Sequence, residues 1–249
     1  MSRTMLVIGI GAGDPDYLTL QAIKAMNRAD VVFVVVKTTD KQELVDLRHT
    51  ILETHMQREH TLVPIQDPDR DRDPANYKQT VQEWRDERTR RWGAAIDEHL
   101  KDGQTGAFLV WGDPALYDST LDVLADIELG DTSIEVIPGI SSVQALAAGH
   151  GIALNRVGGA IEITPGRRYA DGIPDGVDDA VVMLDTRNVY AKAPDDFDVY
   201  WGAYLGTEDE ILISGPVREV EDEIARIRAQ AREDKGWMFD TYLLRRRQP

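Results

Sequence analysis

Three short glycine-containing turns each follow an apolar run and precede a helical pattern, and they carry the residues best suited to chemistry. The turns are Gly9-Ile-Gly-Ala-Gly-Asp-Pro15, Gly112-Asp-Pro-Ala-Leu-Tyr117 and Pro138-Gly-Ile-Ser-Ser142. In a parallel sheet, turns at the carboxyl ends of strands open into the ligand crevice, and glycine lets a ligand approach the backbone closely. We therefore expect these turns to contribute to a binding site.

The first turn does not match a dinucleotide-binding fingerprint. The pattern G-x-G-x-x-G requires glycine at position 14, where Asp14 stands, and a carboxylate there would repel a pyrophosphate. In the second turn, Asp113 can accept hydrogen bonds from ribose hydroxyls or face a cationic ligand. In the third, Ser141 and Ser142 occupy positions typical of helix N-caps. A nucleotide-dependent oxidoreductase is disfavoured by this comparison, although it stays open as an alternative.

Composition excludes several other classes of protein. The 249 residues include 28 Lys and Arg against 44 Asp and Glu, a net charge of −16, which argues against nucleic-acid binding. The absence of cysteine excludes disulfides, thiolate zinc sites and a cysteine nucleophile, and no cluster with metal-ligand spacing occurs. No apolar run approaches the roughly 18 residues of a membrane span. We expect a soluble, cytoplasmic protein that needs no metal and binds no membrane.

The strands and helices around these turns form two predicted α/β domains, over residues 1–113 and 114–249. In the first, strands alternate with helical patterns at Leu18–Arg28 and Val81–Leu100, which predicts a parallel sheet. In the second, short connections favour antiparallel pairing and a mixed sheet, with one helix from Val217 to Ala231. The predicted strands are Met5–Ile10, Val31–Val36, Leu62–Ile65, Ala107–Trp111, Ile134–Ile137, Ala160–Thr164, Ala180–Leu184, Val199–Leu205, Ile211–Ser214 and Met238–Leu244.

Taken together and in order, the motifs resemble the tetrapyrrole (corrin and porphyrin) methyltransferase family. The resemblance implies two α/β domains with S-adenosylmethionine in the cleft between them, a tetrapyrrole substrate and a homodimer. The segments that carry it are GIGAGDPDYLTLQAI at 9–23, ADVVFV at 29–34, GDPALY at 112–117, VIPGISS at 136–142, VVML at 181–184 and YLGTEDEILISG at 204–215.

Further segments resemble one branch of this family, which acts in aerobic cobalamin biosynthesis. That branch methylates carbon 1 of precorrin-5 and releases acetate, giving precorrin-6A. Another precorrin methyltransferase and a non-catalytic ligand sensor on the same fold stay open. The segments are VFVVVK at 32–37, ELVDLR at 43–48, DPDRDR at 67–72, VQEWRDER at 81–88, ITPGRR at 163–168 and MLDTRN at 183–188.

The resemblance also implies which residues hold the cofactor and supplies candidates for the catalytic base. Expected cofactor contacts are Gly112, Asp113, Leu116, Ser141, Ser142, Met183, Leu184, Tyr204, Leu205 and Gly215. Deacetylation needs a water molecule and a proton acceptor, for which the candidates are Asp46, His49, Tyr77 and Asp113.

A precorrin carries many carboxylates, so a protein of net charge −16 needs a local cationic patch to bind it. Candidate bases in the branch-specific segments are Lys37, Arg48, Arg70, Arg72, Arg88, Arg167 and Arg168. Arg88 stands out because it lies between Trp84 and Trp92 in a helical stripe where an apolar residue is expected. Such an arginine should have an anionic partner or face a cleft. We expect Arg88→Leu to complete the stripe, leaving folding nearly unchanged while weakening substrate binding.

Overall fold

The computed structural model describes residues 2–36, 42–69, 77–235 and 238–248, with side chains omitted at 42–47, 77–78 and 235. The chain divides into two compact units. The first unit comprises Met1–Gly11 and Pro15–Ile140, and the second comprises Ala12–Asp14 and Ser141–Pro249. The boundary expected after residue 113 is corrected to residue 140, because the strand at 132–137 pairs with the first strand of the chain.

The first unit is built on a five-stranded sheet of order β3-β2-β4-β1-β5, in which every neighbouring pair is parallel. The predicted strands and both predicted helices are confirmed, and helices α2 and α4 are additional. The elements are β1 (Arg3–Gly9), α1 (Leu20–Met26), β2 (Val31–Val36), α2 (Gln42–His55), β3 (Thr61–Gln66), α3 (Tyr77–His99), β4 (Thr105–Val110), α4 (Thr120–Ala125) and β5 (Thr132–Ile137).

Both faces of this sheet are covered, since successive residues of β1 point into different cores. Met5 and Val7 pack in the cluster that includes residues of α3 and α4, whereas Leu6 and Ile8 pack with residues of α1 and α2. The helices that follow the adjacent strands β1 and β4 therefore lie on opposite faces. Where the connections after two adjacent strands run to opposite faces of a sheet, a crevice opens at the carboxyl ends of those strands.

The second unit has a mixed sheet of order β6-β7-β10-β8-β9. Strands β6 and β7 are parallel and the other three pairs are antiparallel, so the sheet is mixed, as expected. The short connection between β8 and β9 gives the antiparallel pair that it predicted, whereas the consecutive strands β6 and β7 run parallel. Helices α5 and α6 pack against it. The elements are α5 (Ser142–His150), β6 (Glu162–Pro165), β7 (Asp179–Met183), β8 (Phe197–Ala203), β9 (Ile211–Pro216), α6 (Val217–Lys235) and β10 (Asp240–Arg246).

Helix α6 forms because its apolar residues recur every three or four positions. Val217 and Ile224 are buried in the core of the second unit, with Ile227 and Ala231 partly buried beside them. Arg228 lies on the same face and is only 2% exposed. Among the described residues, no helix is both long and apolar enough to cross a membrane.

Candidate functional site

In the first unit, the turns after β1 and β4 are joined by backbone hydrogen bonds at the crevice. The Gly112 N–H donates to the Gly11 carbonyl at 2.8 Å, and the Gly11 N–H donates back at 3.3 Å. Two of the turns singled out from the sequence therefore lie against each other at the carboxyl ends of adjacent strands.

The turn after β5 joins the same cluster, and its glycine leaves no space for a side chain. A Cβ atom on Gly139 would lie 2.1 Å from the Gly112 carbonyl oxygen, and one on Gly9 would lie 2.6 Å from the Gly139 nitrogen. These separations are far below van der Waals contact. Gly9 and Gly139 are thus required for the close packing of the three strand ends, which we call the glycine junction.

Asp113 ties two turns of the glycine junction together. One of its carboxylate oxygens accepts the Ala115 N–H at 2.8 Å, within its own turn, and the other accepts the Gly139 N–H at 2.9 Å. Each oxygen retains a lone pair, so the half-buried carboxylate can still accept a bond from a ligand. Leu116, also half-buried, follows in the same turn, held by its N–H bond to the Asp113 carbonyl.

In the second unit, several predicted cofactor residues meet at one edge of the mixed sheet. Thr241, near the start of β10, pairs with Met183 on one side and with Gly202 on the other. The Thr241 hydroxyl also lies 3.2 Å from the Ser142 hydroxyl, at the first residue of α5. The carboxyl ends of β6, β7 and β8 therefore lie at this edge, with Ser142 beside them; we call it the β7–β8 edge.

Two residues at the β7–β8 edge have backbone conformations unusual for their type. Leu184 and Tyr204, which directly follow β7 and β8, have φ values of +52° and +51°. Leu184 is 54% exposed, whereas Tyr204 and Leu205 are buried. Non-glycine residues at positive φ are uncommon and concentrate at functional sites. Leu205 also approaches Gly13 closely, since a Cβ atom on Gly13 would lie 2.4 Å from the Leu205 carbonyl oxygen.

Two predicted cofactor residues are placed differently. The Ser141 hydroxyl caps α5 by accepting the Val143 N–H at 3.1 Å, and the Gln144 side chain accepts the Ser141 N–H, which completes a capping box. Gly215 pairs with Val199, near the end of the sheet opposite the β7–β8 edge. The expectation that Gly215 lines the same wall as Leu184 is therefore wrong, because β9 runs antiparallel to β8 and carries Gly215 away.

Arg88 has an internal partner. Its Nε atom donates to Asp67 at 2.8 Å and its Nη1 atom donates to the Ser119 hydroxyl at 2.6 Å. The guanidinium lies 5.2 Å from the ring centroid of Trp84 and 4.8 Å from that of Trp92. The side chains of Arg88 and Asp67 are 9% and 2% exposed, so the pair is buried. The anionic partner expected of an inward arginine is confirmed, and the geometry describes a structural ion pair.

The other candidate cations and bases are scattered or lie outside the described residues. Arg167 and Arg168 are exposed in the turn that follows β6, at the carboxyl end of that strand. On α2, Arg48 is half-buried and His49 is exposed. Outside the described residues lie Lys37, Arg70 and Arg72, together with the side chains of Asp46 and Tyr77.

The structure also reveals a buried ionic network in the second unit that was not predicted. Arg228 lies 3.5 Å from a carboxylate oxygen of Asp185 and 3.5 Å from one of Asp240. Trp201 donates to Asp240 at 2.8 Å and Tyr242 donates to Asp185 at 2.8 Å. The one sequence signal was the position of Arg228 four residues after Ile224 and three before Ala231, within the apolar stripe of α6.

Burial dominates the protonation behaviour of this network. Desolvation raises the pKa of Asp240 to about 6, although Arg228, Arg232 and the hydrogen bond from Trp201 act in the opposite direction. The nearby charge of Asp185 adds to the rise. The Tyr190 ring lies beside the network, with its centroid 5.9 Å from the Arg228 guanidinium, and desolvation likewise raises the pKa of Tyr190 to about 12. In the part of the chain that the structure describes, no group of three or more His, Cys, Asp or Glu side chains is placed to hold a metal ion.

A parallel sheet with a glycine junction at its crevice, followed along the chain by a mixed-sheet unit, places this protein among the two-unit α/β proteins. The family described as tetrapyrrole (corrin/porphyrin) methylases matches residues 4–221. A precorrin-6A synthase [deacetylating] from Sinorhizobium sp is 43% identical over 249 aligned residues, covering 98% of this chain and 95% of that protein. The chain belongs to the tetrapyrrole methylase family.

Solved structures share this fold. A cobalamin synthesis related protein (CobF) from Corynebacterium diphtheriae superposes with a TM-score of 0.85 at 38% identity, each chain being covered completely. A uroporphyrin-III C-methyl transferase from Thermus thermophilus, solved with S-adenosyl homocysteine, gives a TM-score of 0.61 at 18% identity over 97% of this chain and 91% of that one. At that identity, the second likeness concerns the fold alone.

Proposed function

We propose that this protein is an S-adenosylmethionine-dependent C-methyltransferase of cobalamin biosynthesis. Its proposed reaction is methylation of carbon 1 of precorrin-5, with release of the extruded two-carbon bridge as acetate, giving precorrin-6A. The observation that carries the proposal is the 43% identity to a precorrin-6A synthase [deacetylating] over 98% of the chain. The branch-specific segments in the sequence support the same reaction.

The residues present fit a sulfonium nucleoside. In the first unit, Asp113 offers a carboxylate beside a backbone that carries no side chains at Gly112 and Gly139. In the second unit, the half-buried Met183 and the exposed Leu184 supply apolar surface suited to a purine ring, and the Ser142 hydroxyl lies at the same edge. We propose these residues as cofactor contacts, together with Leu116, Tyr204 and Leu205.

S-adenosylmethionine, when bound, supplies a methyl group on a sulfonium that is already an electrophile. The chain therefore needs neither a nucleophile nor a metal for the transfer, and its work is to hold the ring carbon in line with the methyl group and to exclude water. Acetate release additionally needs a water molecule and a group that takes its proton. Because both oxygens of Asp113 already accept backbone N–H groups, its geometry fits loop positioning better than proton transfer.

The decisive assay incubates the protein with methyl-labelled S-adenosylmethionine and a panel of precorrins, and measures both the label in the product and the acetate released. We expect label and acetate in equal amounts with precorrin-5. Methylation of precorrin-2 or precorrin-4 without acetate would instead assign another step of the pathway. Cofactor binding without transfer to any precorrin would indicate a ligand sensor, and stabilisation by NAD(P) alone would indicate an oxidoreductase.

The proposed cofactor contact in the first unit is tested by Asp113→Ala. The variant loses two hydrogen bonds within the glycine junction and any bond to the ligand, so S-adenosylmethionine binding should weaken by about 1–3 kcal/mol, or roughly 5- to 150-fold in Kd. Asp131→Ala is the matched control, since Asp131 is exposed in the turn before β5, at the amino ends of the strands. Calorimetry that finds the wild-type Kd in Asp113→Ala would remove Asp113 from the site.

A further inference from the structure

A buried carboxylate directly follows β7 and organises the turn that comes after it. Asp185 is 4% exposed. One of its oxygens accepts the Arg187 N–H at 2.7 Å, and the other accepts the Val189 N–H at 2.8 Å and the Tyr242 hydroxyl at 2.8 Å. The backbone from residue 184 to residue 189 is thereby folded around a single side chain.

Neighbouring elements hold the same carboxylate from other directions. Arg228, on α6, donates to the Asp185 carbonyl and lies 3.5 Å from its carboxylate. At the end of β6, a Cβ atom on Gly166 would lie 2.7 Å from the Asp185 Cβ atom, so only glycine leaves space for the side chain. Asp185 is therefore fixed by β6, β10, α6 and its own turn.

The turn that Asp185 organises presents an apolar side chain in an unfavourable conformation. Leu184 has a φ of +52° and the residue is 54% exposed, so neither its backbone nor its burial stabilises this arrangement. Such a conformation persists only where the surroundings enforce it, and here the hydrogen bonds and ion pair of the adjacent Asp185 do so. Strain enforced on an exposed leucine at the β7–β8 edge indicates a surface shaped for a ligand.

We infer that Asp185 is a positioning residue, whose carboxylate fixes Leu184 as an apolar contact for the purine ring of S-adenosylmethionine. The inference rests on the proposed function, because it assigns the purine to this edge. Asp185 itself is buried, so we expect it to make no direct contact with the cofactor. It acts through Leu184, and Tyr242 and Arg228 act through Asp185.

The test is a double-mutant cycle read out by calorimetry of S-adenosylhomocysteine binding. Asp185→Asn places an amide against backbone N–H donors, so the turn loses its geometry and the Kd should rise about tenfold. Leu184→Ala should raise the Kd to a similar extent. Because the two residues act through one contact, their effects should not add. The Kd of the double variant should therefore also be about tenfold above that of the wild type.

Asp179 supplies the matched control, since it is a buried carboxylate at the first position of the same strand. It pairs with Arg156 at 2.9 Å and with Arg245 at 2.8 Å, at the opposite end of β7. Asp179→Asn should lower the thermal midpoint, as Asp185→Asn should, while leaving the Kd within twofold of the wild type. If Asp185 served stability alone, Asp185→Asn and Asp179→Asn would behave alike in both the thermal midpoint and the Kd.

The binding results distinguish failure of the inference from failure of the proposed function. If Asp185→Asn and Leu184→Ala bind S-adenosylhomocysteine as tightly as the wild type does, the inference is refuted while the proposed function stands. If the wild type itself fails to bind, both fall together. Should Asp185→Asn not fold, Tyr242→Phe removes one hydrogen bond and keeps the carboxylate, and the expected rise in Kd is twofold to fivefold. An unchanged Kd in a folded Tyr242→Phe variant would then overturn the inference.

Discussion

Replacing Arg88 with leucine should strongly destabilise the protein, contrary to what its place in an apolar stripe suggested. The substitution leaves the Asp67 carboxylate, whose side chain is 2% exposed, without its cationic partner. It also removes a hydrogen bond to Ser119 and the stacking of a guanidinium between two tryptophan rings. Leucine supplies apolar contact but cannot neutralise the remaining charge.

The magnitude follows from the burial of the pair. Removing one partner of a buried ion pair costs about 3–5 kcal/mol, because an uncompensated charge is left in a medium of low polarity. For a chain of this size, each kcal/mol shifts the thermal midpoint by roughly 2–4 °C, so the midpoint should fall by about 6–20 °C. Arg90 is the matched control, since it forms an exposed pair with Glu87 on the same helix. Arg90→Leu should cost less than about 1 kcal/mol.

The assay is urea unfolding of Arg88→Leu, Asp67→Asn and the double variant, followed by tryptophan fluorescence and circular dichroism. Since the double variant leaves neither charge buried, it should be at least about 2 kcal/mol more stable than the sum of the two single effects predicts. An Arg88→Leu variant with the wild-type midpoint would show that the ion pair of Arg88 and Asp67 does not stabilise the fold. It would also restore Arg88 as a candidate contact for a substrate carboxylate, which could then be measured as a rise in KM.

Three further predictions concern pH, backbone packing and metals. Burial raises the pKa of Asp240 from 3.8 to about 6, so the folded state binds a proton at this carboxyl group more tightly than the unfolded chain does. The contribution of Asp240 to the free energy of unfolding should therefore increase by up to about 3 kcal/mol as the pH falls from 7 to 4. Unfolding free energies of the wild type and Asp240→Asn at several pH values measure this, and parallel curves would contradict it. Gly139→Ala should disrupt the glycine junction and abolish cofactor binding, whereas Gly93→Ala, whose Cβ would meet only the Ile127 side chain at 3.2 Å, should be neutral or stabilising in thermal melts. Chelators should leave methyl transfer intact, and activity lost in chelator and restored by added metal would contradict the proposed mechanism.

Features that depend on the local pattern of residues could be predicted from the amino-acid sequence. Apolar runs bounded by turn residues located all ten strands of the two sheets, since burial on both faces demands continuous hydrophobicity. Short connections predicted antiparallel pairing in the second unit, which is found between the consecutive strands β8 and β9 but not between β6 and β7. Glycine turns marked the strand ends at the crevice, because only glycine permits the close backbone approaches found at Gly9 and Gly139. Motif order was sufficient to indicate the family.

Partners that are distant in the chain, in contrast, could be identified only from the folded structure. It paired Arg88 with Asp67, 21 residues away, and Arg228 with Asp185, 43 residues away. It also moved the unit boundary, since Arg3 in β1 lies beside Thr132 in β5, 129 residues later. Periodicity shows that a side chain faces inward, but the neighbour it meets there depends on strand order and helix placement. Which partner neutralises a buried charged side chain, and hence what role that side chain has, therefore depends on the fold and not on the neighbouring residues in the sequence.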